Sequence, residues 1–280
     1  MLKFLKRREK KTKMKLRVIS FNTASPWGSE KEGTSSKERI EKFIRYMKEE
    51  SADLIGTQEL NYFWMEEINN NLSEYSSYGV TRGGDESKWT SEMNGVFFKK
   101  DRFKKLFEKT FWLSKTPNEE SRFEENGEKA ACYRICSYVI LKDKSGALIS
   151  FFNTHLDHVC EKAMIWGAEL ILSEIENIKS QFGDINIVLS GDFNQKDDSK
   201  TYEILTSRLN DSTDKSKLQA TYQNWGKDYK TNNGWGADCS DNKPIDFIFT
   251  NGKPVSYRVL DKRDNGYISD HFGIMSEIEF

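Results

Sequence analysis

Six times along its 280 residues the chain runs an apolar, strand-like segment into a side chain able to hold a metal ion or a phosphate. KLRVISFN ends on Asn22, and DLIGTQE ends on Glu59. ALISFFNTHLDH carries Asn153, His155, Asp157 and His158, and INIVLSGDFN carries Asp192 and Asn194. Asp246 opens the strand-like DFIFT, and Asp270 and His271 form the SDH triplet. The chain has three histidines, and all of them lie in these segments. Strand ends that converge on one edge of packed sheets set polar groups on rigid elements. The fold must therefore bring together segments that lie far apart in sequence.

The remaining pattern says how. Residues 35–51 read as a helix that Ser35 or Ser36 can cap, with Ile40, Phe43, Ile44 and Met47 as its apolar stripe. A helix is predicted over 62–72, the longest over 161–180, and a short one over 199–207. Strands are predicted over 15–22, 53–59, 185–194, 245–250, 256–261 and 273–280, and near 78–81 and 95–99. Residues 132–141 and 147–156 read as a hairpin across KDKSG. Helices and strands do not alternate strictly, which favours an α/β (α+β) fold of two mixed sheets packed together with helices outside over one doubly wound sheet. The long segments 82–94, 114–130 and 223–243 read as binding loops on that scaffold.

Charge is unevenly spread. Residues 1–17 hold nine Lys/Arg and one Glu, a net of +8; the whole chain is −1, so residues 18–280 carry −9. So acidic a body does not coat nucleic acid through bulk electrostatics. The basic N-terminal tail, residues 1–14, reads as a solvated terminus, or as a contact to RNA or an anionic surface. Met14 offers an alternative start. No apolar run is long enough to span a bilayer, and the N-terminus lacks the apolar stretch of a secretory signal. The four cysteines make no CxxC pair, so reduced packing thiols in a cytoplasmic protein are expected. Cys132 and Cys136 are expected on one strand face, too far apart to bridge.

Carboxylate and amide oxygens without a thiolate cluster select a hard cation, Mg²⁺ or Mn²⁺, and Glu59 fits the ligand role. Asp192 and Asn194, two residues apart after an apolar strand, point to one side. There Asp192 can hold an attacking water while Asn194 fixes its direction or touches phosphate. In SDH, His271 can act as a general base or as a donor to a phosphoryl oxygen, with Asp246 as its orienter. Arg134, expected on the strand face of Cys132, Cys136 and Tyr138, reads as a second phosphate clamp or as a structural ion pair. Trp89, Trp225 and Trp235 lie in long loops and read either as packing anchors or as platforms for a base.

The ordered series SFN, TQE, NTHLDH, SGDFN, IDFIF and SDH resembles the endonuclease/exonuclease/phosphatase superfamily, from Val18 to the end of the chain. With FWLSKTP and YRICSYVIL upstream, it is most similar to the bacterial branch related to poly(A)-nuclease and nocturnin-type enzymes. The resemblance implies a four-layer DNase I-like sandwich over residues 15–280. It implies that Glu59 ligates Mg²⁺ with Asn22 and Asp270, that Asp192, Asn194, His271 and Asp246 serve the chemistry, and that His155 contacts phosphate. Asn94 stands where the superfamily often has a substrate-side asparagine, and Asp157 and His158 fall on the substrate side too. The tryptophan common after LSxTP and the arginine common after NTHLDH are missing here. Pro244 stands where abasic-site endonucleases have arginine, and PIDF where inositol 5-phosphatases have a WCDR-type motif. A monomeric nuclease or nucleotide phosphatase is the expectation. The alternatives are a sugar- or inositol-phosphate phosphatase and a non-catalytic binding protein on the same fold.

Overall fold

A computed structural model describes residues 14–25, 35–84, 91–207, 218–224, 230–236, 243–261 and 266–280. The basic segment 1–13, Trp89, Trp225 and Cys239 lie outside the described residues. Two six-stranded mixed sheets pack face to face with helices outside.

The first sheet comprises β1 (Lys15–Asn22), β2 (Leu54–Leu60), β3 (Tyr75–Tyr78), β4 (Met93–Lys99), β13 (Lys253–Leu260) and β14 (Gly273–Glu279). Its order is β13-β14-β1-β2-β4-β3. The second comprises β5 (Phe103–Trp112), β8 (Ile135–Asp143), β9 (Leu148–His155), β10 (Asn186–Asp192), β11 (Gln219–Ala220) and β12 (Asp246–Thr250), ordered β11-β12-β10-β9-β8-β5. A two-stranded ribbon, β6 (Glu124–Glu125) with β7 (Glu128–Lys129), lies in the loop ahead of β8. Each sheet has one parallel pair at its centre, β1 with β2 and β9 with β10, and antiparallel pairs on either side. Each parallel pair is joined by a helix, as a parallel crossover requires. These are α1 (Ser36–Glu50) and α3 (Glu161–Phe182).

Side chains alternate faces along a strand, and this sorts the core into three layers. Ile19 and Phe21 of β1 pack with Ile40, Phe43 and Met47 of α1 and with Trp64 and Ile68 of α2 (Tyr62–Asn71). Tyr138, Phe152 and Leu189 pack with Ile171 and Ile175 of α3 and Leu205 of α4 (Lys200–Ser207). Between the sheets lie Leu16, Val18, Leu54, Val96, Phe151, Val188 and Ile248. α1 opens with a full capping box: the Glu38 N–H donates to Ser35 Oγ, and the Ser35 N–H donates to the Glu38 carboxylate.

The layer between the sheets changes character toward one end. After Val18 the next inward positions on β1 are Ser20 and Asn22; after Leu54 on β2 they are Gly56 and Gln58. On β9 Phe151 is followed by Asn153 and His155, and on β10 Val188 by Ser190 and Asp192. Asn153 is the hub of this buried polar layer. Its Nδ2 donates to the carbonyls of Thr57 and Gly95, both at 2.8 Å, and its Oδ1 accepts from Gln58 Nε2 at 2.6 Å and Ser190 Oγ at 3.2 Å. At Gly56 a Cβ would stand 2.3 Å from Ser190 Oγ and 2.9 Å from the Asn153 amide.

Two sequence expectations need correction. Cys132 does not share a strand with Cys136, because β8 begins only at Ile135. The N–H groups of Ala131 and Cys132 donate to Asp157 Oδ2, which pins this stretch to the turn after β9 instead of to a ladder. Arg134 accordingly precedes the strand. β5 escapes the periodicity reading altogether. It is an edge strand with Phe103 and Phe111 buried and Lys104 to Glu108 exposed between them, including Leu106 and Phe107. Charged residues of this kind blunt a free sheet edge and hide the alternation.

Gly56→Ala is expected to lower stability by about 1–3 kcal/mol, the usual cost of overpacking. A urea titration reads it; an unchanged midpoint would mean that Asn153 and Ser190 have room to yield.

Candidate active site

The polar layer opens at the end of the sandwich where β1, β2, β9 and β10 terminate. On one sheet Asn22 pairs in register with Gln58; on the other His155, Asp192 and Asp246 form one row across β9, β10 and β12. Asp192 stands at the convergence. Its Oδ2 accepts from Asn22 Nδ2 at 2.9 Å, and its Oδ1 accepts from the backbone N–H of Asn194 at 2.9 Å. The Nε2 atoms of His155 and His271 lie 3.5 and 3.8 Å from the same Oδ2.

Glu59 is turned inward by its backbone. It sits in a β-bulge, where the pairing of β2 with β4 slips between Thr57 and Leu60, and its φ is +56°. Bulges re-aim side chains, and a left-handed non-glycine residue is held by its surroundings at a cost of about 1–3 kcal/mol. Asn194 shows the same strain, with φ of +50°. Glu59 accepts from Asn22 Nδ2 at 3.0 Å and from the Ser25 N–H at 2.8 Å. Asn22 thus bridges Glu59 and Asp192 through one NH₂ group, while its Oδ1 accepts from the Ala24 N–H. Direct ligation of a metal by Asn22 requires that amide to turn.

His271 and His155 lie in opposite electrostatic settings. His271 Nδ1 is 2.8 Å from Asp246 Oδ2. Burial works against its charge, but Asp246, Asp192 and Asp270 outweigh it and hold the imidazole protonated well above its ordinary range. The other Asp246 oxygen is buried without a hydrogen-bond partner among the described residues. His155 is pushed well below its ordinary range by burial, then by Arg134, Arg82, His271 and His158. Its Nε2 accepts from Asn194 Nδ2 at 3.0 Å, which places the proton of the neutral ring on Nδ1. Burial and the nearby Asp246 raise Asp192 to about 7, against the pull of His271. Asp270 is raised by burial and by Glu59, with His271 opposing.

Among the described residues two sets of donors could surround a cation: Glu59, His155 and Asp192, and separately Asp192, Asp246 and His271, each with one atom apiece within 4.8 Å of the others. The second set is fully buried and already joined by the His271–Asp246 hydrogen bond. The first, with half-buried Glu59, opens toward the surface and is rich in oxygen, which suits a hard cation.

The other sequence candidates sit on the His155 side. Asn94 Nδ2 donates to the Ile135 carbonyl at 2.7 Å, a link between the sheets, and Asn94 lines a small crevice with Arg82, Tyr133, Arg134 and His155. Arg134 Nη2 is 3.0 Å from His158 Nδ1, and Arg134 Nε is 3.9 Å from Asp157 Oδ2. Both oxygens of Asp157 are taken by backbone N–H groups, of Ala131 and Cys132 on one and Val159 and Cys160 on the other. It therefore shapes the turn that presents His158.

Sequence reasoning missed Arg39. It is fully buried on α1, and its guanidinium lies 5.0 and 4.9 Å from the ring centroids of Trp64 and Trp235. Burial lowers its pKa to about 10, with Asp270 and Glu59 pulling upward. The available signal was a charge four residues before Phe43, on the apolar stripe of the helix.

Two mixed sheets with helices outside, and acids, amides and imidazoles gathered at one end of the inter-sheet layer, define an α/β sandwich of the phosphoesterase type. The family model for the endonuclease/exonuclease/phosphatase family matches residues 19–271, and the chain belongs to that family. Membership supports a hydrolase acting on phosphate esters. Among solved structures, the chain is similar to an endonuclease/exonuclease/phosphatase family protein from Bacteroides thetaiotaomicron, with 26% identity, TM-score 0.84 and coverage of 96% of each chain. A mannosyl-6-phosphatase of the same organism shows 26% identity and TM-score 0.83 over 95% of this chain and 100% of that one. The human Nocturnin catalytic domain, solved with a bound sulfate anion, shares the fold at 18% identity, TM-score 0.72, and 95% and 96% coverage. A comparison with curated proteins returned no match.

The three histidines make the electrostatics directly measurable. In an NMR titration of the metal-free protein, His155 is expected to stay neutral well below pH 6.5 and His271 to stay protonated well above it. Asp246→Asn removes an anion beside the imidazolium, so the His271 midpoint should fall. An unmoved midpoint would rule out Asp246 as its main partner.

Proposed function

We propose that the chain is a divalent-metal-dependent phosphoesterase, using Mg²⁺ or in its place Mn²⁺, that hydrolyses its substrate by in-line attack of water. The observation that carries this reading is the placement of Asp192. One buried carboxylate is oriented by Asn22 and Asn194, faced by two imidazoles of opposite character, and one side chain removed from Glu59. Residues 15–280 are taken as one catalytic domain, acting as a monomer in the cytoplasm. Among the described residues no helix is long and apolar enough to cross a membrane.

Glu59 and Asp270, with Asn22, would hold the cation, whose contribution when bound is Lewis-acid polarisation of a phosphoryl oxygen. The remaining work falls to side chains. Asp192 orients the water and accepts its proton, and its raised pKa suits a base working near neutrality. His271, kept protonated by Asp246, donates to the negative charge that develops on phosphorus-bound oxygen. Asn194 holds Asp192 through its backbone N–H and neutral His155 through its side-chain amide, so Asn194 and His155 stand in place beside the phosphate without adding charge. Asn94, Arg134, Asp157 and His158 belong to the substrate side, with Arg134 as its cation, held at 3.0 Å from His158 Nδ1.

Nucleic acid or a nucleotide is the first substrate reading. A small sugar phosphate is the second. It is favoured by the likeness to the mannosyl-6-phosphatase and by the −9 charge of residues 18–280, which repels a polyanion.

Asp192→Ala and His271→Ala are each expected to cut turnover by about 10²–10⁴-fold with circular dichroism unchanged, and EDTA should abolish it. Mass spectrometry against oligo(A) and mixed RNA, single- and double-stranded DNA, nucleotides, dinucleotides, inositol phosphates and sugar phosphates reads both chemistry and substrate. Near-normal turnover in folded Asp192→Ala protein would sink the assignment.

A further inference from the structure

Arg39 spends its donors on backbone carbonyls and not, among the described residues, on a carboxylate. Its Nε donates to the Ile268 carbonyl at 2.6 Å, and its Nη2 donates to the carbonyls of Ala24, at 2.8 Å, and Thr23. Its Nη1 is buried without a hydrogen-bond partner among the described residues. The two stretches it joins are the ones that aim the acids. In the first, the Ala24 N–H fixes the Asn22 amide and the Ser25 N–H holds Glu59, with Ala24 strained at φ +53°. The second leads through Ser269 into Asp270 and His271. One planar fork therefore ties the Glu59 side of the site to the Asp270 side, a geometry that a lysine cannot reproduce.

Its outer cover is a strained turn. Gly234, Trp235 and Gly236 have φ of +52°, +60° and +91° in succession, and such a backbone in a tryptophan must be held in place. Asn233 Oδ1 accepts from the Trp235 N–H, and the N–H groups of Asn233 and Gly234 both donate to the Asp270 carbonyl, at 2.6 and 3.1 Å. The turn that lays the indole on Arg39 is bolted to Asp270 itself.

We propose that Arg39, stacked between Trp64 and Trp235, is a positioning residue that presets Glu59 and Asp270, and the Asn22 amide that orients Glu59, for a divalent cation, with Trp235 as the outer half of the clamp. This rests on reading those three residues as the metal side of the site. Arg39 touches neither cation nor substrate; it acts by fixing where the acids stand.

The test is Mn²⁺ affinity of the full chain, read by the EPR signal of free Mn²⁺, beside melting curves. Arg39→Lys should raise Kd about tenfold or more, the usual effect of losing a partner that orients metal ligands. Trp235→Leu should raise it several-fold at a near-normal melting temperature, and Trp235→Phe, which keeps an aromatic face, should stay close to wild type. If Arg39→Lys fails to fold, the two Trp235 variants decide. Wild-type affinity in folded Arg39→Lys and Trp235→Leu, with binding lost in Glu59→Gln, overturns the positioning role alone. Wild-type binding in Glu59→Gln overturns the ligand assignment and the positioning role with it.

Discussion

The hydrogen-bonded layer around Asn153 is the constraint on which the rest of the site depends. Sheets normally meet through interdigitated apolar side chains, and through the middle of the sandwich these do so. Nearer the site the same inward positions carry Ser20, Gln58, Asn153 and Ser190, which are buried and joined to one another. A buried polar group costs free energy unless partnered, and the network is specific because its geometry is. Leucines there would hold the sheets together without fixing their relative shift. An amide that must reach the carbonyls of both Thr57 and Gly95 fixes it. Asn22 and Asp192 sit one step further out, so their 2.9 Å contact across the sheets inherits that alignment.

Like groups, equally buried, are set apart by the charges around them. Asp192 and Asp246 are neighbours on adjacent strands, both buried, with the His271 imidazolium facing both. Burial and Asp246 raise the proton affinity of Asp192 against the pull of His271, and the acids keep His271 charged. His155, one strand over, faces arginines and loses its proton instead. Two histidines that would be interchangeable in solution thus take opposite charge states within one site. At the other end of the sandwich Arg102 reaches Asp53 on one sheet and Asp143 on the other, at 2.7 and 2.9 Å. The sheets are therefore pinned at both ends by polar contacts with an apolar layer between.

Much of this was legible in the sequence. β1 and α1 were readable because alternation and helical spacing are clean in KLRVISFN and around Ile40, Phe43, Ile44 and Met47, and because Ser35 or Ser36 offers a cap. The polar strand ends announced the site, since asparagine, histidine and aspartate are costly where strands are otherwise apolar. β5 was not readable, as an edge strand that exposes most of its length loses the period that reports a buried face. Nor was the left-handed turn at Glu59, because nothing in TQE marks a bulge; it is imposed by β4 across the ladder. Arg39 was hidden for another reason. Its partners are carbonyls and ring faces from Thr23, Trp64, Trp235 and Ile268, contacts that exist only once the chain has folded.

The strand order also has a bearing on synthesis. All six strands of the second sheet lie between Phe103 and Thr250, a continuous stretch of chain. The first sheet is different. β14 is inserted between β1 and β13, with the Phe280 N–H donating to the Met14 carbonyl. On the ribosome, β1 must wait with one edge unpaired until residues 273–279 emerge, while the second sheet can already close. Asp270 and His271 arrive with that last insertion. Asp192 and Asp246 are therefore translated ahead of the imidazole that meets them, and the site closes only when β14 joins β1.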